Sequence, residues 1–130
     1  MEWNDSMEGY ILIVDDDPDV RYLVTQALGL LGLIGRSAMN GSEALTLIRE
    51  QAPQAIILDI MMPEMDGFTT LMHIQREFVG HTIPVILLSG IADSIHNMDR
   101  LPGVRAVMVK GDFTMEKFRT SLAKAGVMAA

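Results

Sequence analysis

The sequence predicts an α/β domain built on a doubly wound parallel sheet, and two patterns carry that prediction. Short, continuously apolar runs rich in Ile and Val recur along the chain, as strands buried on both faces do. Between them lie segments whose apolar residues repeat at three and four, the spacing of one buried helical face. Strand alternating with helix, five times over, is the pattern of a parallel sheet with right-handed crossovers. With 130 residues, 49% of them hydrophobic, the chain has the size of one ordinary domain.

The first run is YILIV at 10–14. A helix follows, with Val20, Leu23, Val24, Ala27, Leu28 and Leu31 on one face, Asp17 as N-cap, Pro18 at the first helical position and Gly32 just past the end. LIGRS at 33–37 is weaker and more polar and suits an edge strand. In NGSEALTLI, Asn40 followed by Glu43 resembles a capping box, opening a helix that should stop near Pro53. AIIL at 55–58 is the next strand, and a helix is expected from about Gly67 to Glu77, its turns marked by Phe68, Leu71, Met72 and Gln75. PVILL at 84–88 precedes a short polar helix over 93–101, ended by Pro102 and Gly103. AVMV at 106–109 is the last strand, and TMEKFRTSLAKA at 114–125 the last helix, with Met115, Phe118, Leu122 and Ala125 on one face. Residues 9–125 form the expected domain, with 1–8 and 126–130 as tails.

Composition excludes several classes of function. A net charge of -7 with no basic patch argues against direct nucleic-acid binding. The absence of Cys rules out disulfides, thiolate metal sites and cysteine nucleophiles, and fits a reducing compartment. The start, MEWNDSMEG, lacks the features of a secretion signal, and the helix-like apolar stretch ALGLLGLIG is too short to span a bilayer. A soluble cytoplasmic protein with no membrane partner is expected.

Open α/β sheets bind ligands beyond the carboxyl ends of their strands. After the first strong strand stand Asp15 and Asp16, after the next Asp59, then Ser89, then Lys110. In a parallel sheet all these ends point one way, so the five side chains should converge. Three carboxylates held together call for a neutralising cation, and oxygen ligands without Cys or clustered His favour a hard ion such as Mg2+. One divalent ion and one lysine balance the three acids formally. Such a site suits a phosphoryl group, and a carboxylate beside the metal can itself be the nucleophile, forming an acyl phosphate.

From ILIVDDDPDVR through LDIMMPEMDGF and PVILLSG to VMVKGDF, the chain resembles the receiver domain of bacterial two-component response regulators over nearly its whole length. The resemblance implies a flavodoxin-like three-layer sandwich with strand order 2-1-3-4-5, an order taken from the family. It implies Asp59 as phosphoryl acceptor, supplied by a histidine kinase, a phosphotransfer protein or a small acyl phosphate. Mg2+ would be held by Asp16, Asp59 and the backbone carbonyl of Met61, with Asp15 acting through a metal-bound water. Ser89 would hydrogen-bond the phosphoryl oxygens and draw its loop inward, and Lys110 would pair with the acceptor and then the phosphoryl group. Pro63 and Gly67 match the turn after the acceptor. A downstream protein would be met by the fourth helix, fifth strand and fifth helix, about residues 93–125, and a phosphorylation-dependent dimer is compatible with the family. The chain would be no enzyme beyond its own phosphorylation and dephosphorylation.

The chain departs from the family pattern at two positions. The family usually follows its lysine with a cis-proline; here Gly111 follows Lys110, and because a cis bond without proline costs about 2.5 to 4 kcal/mol, a trans bond and a reshaped loop are expected. Where the family often has Tyr or Phe stands Val107, so no aromatic rotamer can couple to the hydroxyl residue. Two other readings compete: a degenerate receiver that only docks, and a metal-dependent phosphohydrolase, which would want an acid where Met61 stands. Met61, Met62 and Met65 read as loop and core packing, and His73, His81 and His96 as surface residues. No output domain is visible, so the chain reads as a stand-alone receiver or as part of a larger regulator.

Overall fold

The computed structural model describes residues 9–62, 65–90 and 97–129. Its elements are β1 (Ile11–Val14), α1 (Pro18–Leu30), β2 (Gly35–Ala38), α2 (Gly41–Glu50), β3 (Ala55–Asp59), α3 (Gly67–Glu77), β4 (Val85–Ser89), β5 (Val104–Val109) and α4 (Met115–Lys124), with 3-10 turns at Met98–Arg100 and Lys110–Asp112. The strands form one five-stranded sheet in the order β2-β1-β3-β4-β5, and every pairing is parallel. The expected fold class and strand order are therefore those of the molecule. Among the described residues no helix is long and apolar enough to cross a membrane.

The period of two in the strands divides the interior into two layers. Leu12, Val14, Ile56, Leu58 and Leu87 face α2 and α3, meeting Ala44, Ile48, Leu71 and Ile74. Ile11, Ile13, Ile57, Ile86 and Leu88 face α1 and α4, meeting Val24, Leu28, Phe118 and Leu122. A strand buried on both sides has no polar face, which is why these runs are apolar without alternation. The chain leaves β1 towards β2 on one face and returns to β3 on the other, so the sheet order reverses between β1 and β3. Open α/β sheets bind ligands at such a point, beyond the carboxyl ends of the strands.

Helix ends follow local chemistry. Asp17 caps α1 by accepting from the Asp19 N–H at 2.9 Å, and Asn40 caps α2 by accepting from the Glu43 N–H at 2.8 Å. At the end of α1, Gly32 adopts φ 76°, its N–H reaching the Gly29 carbonyl at 3.0 Å and that of Leu33 reaching Leu28 at 2.9 Å. This double bond pattern stops the helix with a left-handed residue. The same pattern closes α4, where Gly126 bonds Ala123 and Val127 bonds Leu122 at 3.1 Å. Val127 and Met128, read from sequence as tail, pack against the α1/α4 layer.

Several expectations are corrected. Leu23 is 52% exposed, because it lies at the margin of the α1 stripe whose centre is Val24, Ala27 and Leu28. The buried face of α3 is Gly67, Thr70, Leu71 and Ile74, so Phe68, Met72 and Gln75 turn outwards. β2 begins at Gly35, two residues later than expected, with Ile34 still exposed. β5 begins at Val104, not 106: a bulge opposite Val85 and Ile86 inserts the exposed Arg105, which hides the strand in the sequence. Of the polar helix expected over 93–101, residues 93–96 lie outside the described residues. The rest is the 3-10 turn at Met98–Arg100, entered through Asn97 at φ 65°.

Candidate phosphoryl and metal site

Asp15 continues β1 by one residue, its N–H donating to the Ala38 carbonyl at 3.2 Å. Its side chain is fully buried, and its Oδ1 accepts from the Asp17 N–H at 2.9 Å. Asp59 ends β3, is 1% exposed, and its Oδ1 accepts from the Met61 N–H at 3.0 Å. Asp16, at the bend between β1 and α1, is exposed. One carboxylate oxygen from each of Asp15, Asp16 and Asp59 lies within 4.8 Å of the others. The structure thus brings the three acids together.

Lys110 reaches the acids from the end of β5. It opens a 3-10 turn straight after β5, and its Nζ lies 2.8 Å from Asp15 Oδ2 and 3.3 Å from Asp59 Oδ2. No peptide bond among the described residues is cis, so Gly111 leaves the bond after Lys110 trans, and the ammonium still reaches both acids. Ser89 ends β4, fully buried and in register with Val109, the residue before Lys110. Met61 presents its side chain to solvent, Met62 is buried in the α2/α3 layer and Met65 is half-buried. His73 and His81 are exposed, whereas His96 and Pro63 lie outside the described residues.

Burial pushes the Asp59 carboxyl above its ordinary value, helped by the Asp15 charge and opposed by the Met61 N–H and the Lys110 ammonium. Burial pulls the Lys110 ammonium down, but the hydrogen bond and charge of Asp15, with those of Asp59, leave it raised overall. Among the described residues, the charged group these two buried Oδ2 atoms meet is that ammonium. Buried carboxylate oxygens left in this state, with a third acid beside them, fit a hard divalent cation. The donor set suits Mg2+.

Gly67 explains the placement of Asp59 from behind. A Cβ on Gly67 would lie 2.4 Å from the Asp59 carbonyl oxygen and 2.5 Å from Ile60 Cα, so only glycine lets α3 start against the end of β3. Asp66 caps that helix through the Thr69 N–H at 2.8 Å, a role legible in retrospect from Asp one residue before the helix. Arg21, not singled out in the sequence, donates from a guanidinium N–H to the Asp15 carbonyl at 2.8 Å. Its signal would have been a long donor one helical turn beyond the cap.

Residues 11–120 match the family model described as response regulator receiver domain. The chain is a receiver domain. Among curated proteins it is 30% identical over 119 residues to a protein called "Probable transcriptional regulator ycf27" from Guillardia theta, covering 92% of this chain and 44% of that protein. An "Uncharacterized 14.6 kDa protein" of Leptolyngbya boryana is 42% identical over 82 residues, 63% of each chain. The chain thus spans less than half of the first of these relatives and under two thirds of the second. Among solved structures, the response regulator TrrA of Thermotoga maritima, in complex with Mg(2+)-BeF, superposes with a TM-score of 0.76 at 28% identity, covering 91% of this receiver and 99% of that chain. The receiver domain of NtrX from Brucella abortus gives 0.79 at 27%, covering 92% and 99%. Chemotaxis protein CheY4 of Vibrio cholerae shares the fold at 0.80 and 24%, covering 92% and 99%.

Proposed function

We propose that this receiver accepts a phosphoryl group on Asp59 from a phosphohistidine of a kinase or phosphotransfer protein, and that the modification switches a protein-binding surface. The observation that carries the reading is the Lys110 ammonium set between the buried Oδ2 atoms of Asp15 and Asp59. A carboxylate oxygen of Asp59 attacks phosphorus, the P–N bond of the donor breaks, and the donor imidazole leaves with its electron pair and takes a proton from solvent. Acyl phosphate and free imidazole result, with no net redox change. Asp16 and Asp59, with the Met61 carbonyl and with Asp15 through a water, would hold Mg2+, which would supply charge compensation at the transferring group. Lys110 keeps its proton throughout and moves its charge from carboxylate to phosphoryl oxygen. Ser89, at the next strand end, offers the hydroxyl that would bond the same group.

Val107 leaves no aromatic rotamer to relay the change, so the signal travels through the Ser89 loop and the segment carrying Lys110. A cleft of about 530 Å3 along β5 and α4, lined by Val107, Val109, Glu116, Lys117, Thr120 and Lys124, supports a partner site on this side of the domain. The chain acts in this reading as a cytoplasmic switch that catalyses only its own phosphorylation and dephosphorylation. Incubation with a phosphorylated kinase, or with acetyl phosphate, should give a Mg2+-dependent, base-labile mass gain of one phosphoryl group that D59N lacks. Equal labelling of the wild type and D59N would overturn the assignment.

A further inference from the structure

Among the described residues four contacts hold Asp15, and one of them comes from a side chain one helical turn into α1. The Asp15 N–H is fixed by β2, its Oδ1 accepts from the Asp17 N–H, its Oδ2 faces Lys110, and its carbonyl accepts from Arg21 at 2.8 Å. The last contact bears on Asp16. The Asp15 carbonyl belongs to the peptide unit before Asp16, and the Asp17 N–H to the unit after it. Arg21 restrains the first and Asp15 Oδ1 the second, so the exposed Asp16 hangs between two immobilised peptides.

Electrostatics does not explain why Arg21 lies there. A cation near a helix N-terminus opposes the macrodipole, and a guanidinium beside the acids repels any divalent ion that approaches. What it provides is geometric. Arg21 is half-buried one turn inside α1, where side chains lean towards the helix start and its reach to the turn is short.

We propose that Arg21 is a positioning residue for the cation seat, acting through the Asp15 carbonyl to orient Asp16 for a hard divalent ion. This rests on the reading of Asp15, Asp16 and Asp59 as that seat, and no other property of the receiver is needed. Groups that orient metal ligands from behind change affinity by about tenfold or more when removed.

The sign of the effect separates geometry from charge. Arg21→Met keeps the aliphatic stem but removes both donor and charge; Arg21→Lys keeps the charge and one flexible donor. Mg2+ affinity is measured by titration calorimetry on the wild type and both variants, beside thermal melts in EDTA and the seat control Asp16→Asn. Positioning predicts binding weakened about tenfold in R21M and less in R21K. A guanidinium acting only as a repelling charge would give tighter binding in R21M and unchanged binding in R21K, which overturns the proposal. Unchanged affinity in R21M with a lowered melting temperature means a structural role alone and overturns it equally. Mg2+ binding by the wild type that survives in D16N would instead overturn the seat itself.

Discussion

Gly67 and Asp59 touch through their main chains: the place of a Cβ on Gly67 is 2.4 Å from the Asp59 carbonyl oxygen. The start of α3 is thereby wedged behind the end of β3. An added methyl meets the backbone of Asp59 and Ile60 rather than a flexible side chain that could move aside. G67A should destabilise the domain by about 1–3 kcal/mol in urea unfolding. It should also slow acceptor labelling, because relief comes by shifting Asp59.

Asp59 gives the metal-free protein a pH dependence of definite sign. Its carboxyl is raised in the folded state, so the native form binds this proton more tightly than the unfolded chain does. The stability this contributes is full below the ordinary carboxylate range and is lost as pH rises through the folded value. Melting in EDTA should therefore show D59N more stable than the wild type at pH 7, with the gap closing towards pH 4. Added Mg2+ should narrow the gap at pH 7 by stabilising the wild type. A wild type as stable as D59N at pH 7 in EDTA would contradict this.

Lys110 is the ammonium that both buried Oδ2 atoms face. K110M should lower stability in EDTA by about 1–3 kcal/mol at pH 7, since two buried acceptors lose that contact. Acidification should restore much of the loss by protonating an acid. An unfolding free energy independent of the substitution would show that the contact contributes nothing.

Tyr10 tests the opposite end of the sheet. Its hydroxyl donates to the Gln51 carbonyl at 2.6 Å, and Arg36 lies 5.1 Å from the ring centroid. Y10F should cost about 1 kcal/mol while leaving the ring packing intact. Mg2+ affinity should not change, which makes it a control for stability loss remote from the site.

Fold class was legible because burial on both faces leaves an unambiguous mark: Ile11 to Val14 and Ala55 to Leu58 have no polar side to show. The convergence of Asp15, Asp59 and Lys110, with Ser89 at a neighbouring strand end, followed from one geometric fact, that parallel strands end on the same edge. Less visible was whatever depended on rotation or register. Phe68, Leu71, Met72 and Gln75 mark the turns of α3 in the sequence, yet its buried face is Gly67, Thr70, Leu71 and Ile74. Arg105 broke an apolar run that the bulge in fact continues. Arg21 left no trace in periodicity, because its part in the turn depends on the direction of one long side chain.

The alternation of strand residues between two interior layers has a further consequence. Sequence neighbours such as Ile57 and Leu58 answer to different helices, the first to α1 and α4, the second to α2 and α3. Truncations made one by one along β3 should therefore perturb opposite sides of the protein in a sawtooth, and paired truncations across the sheet should combine nearly independently. The central ribbon of backbone works as a partition wall. In the proposed switch, a change at its rim would reach the flanks around the edge of the wall, by way of the loops.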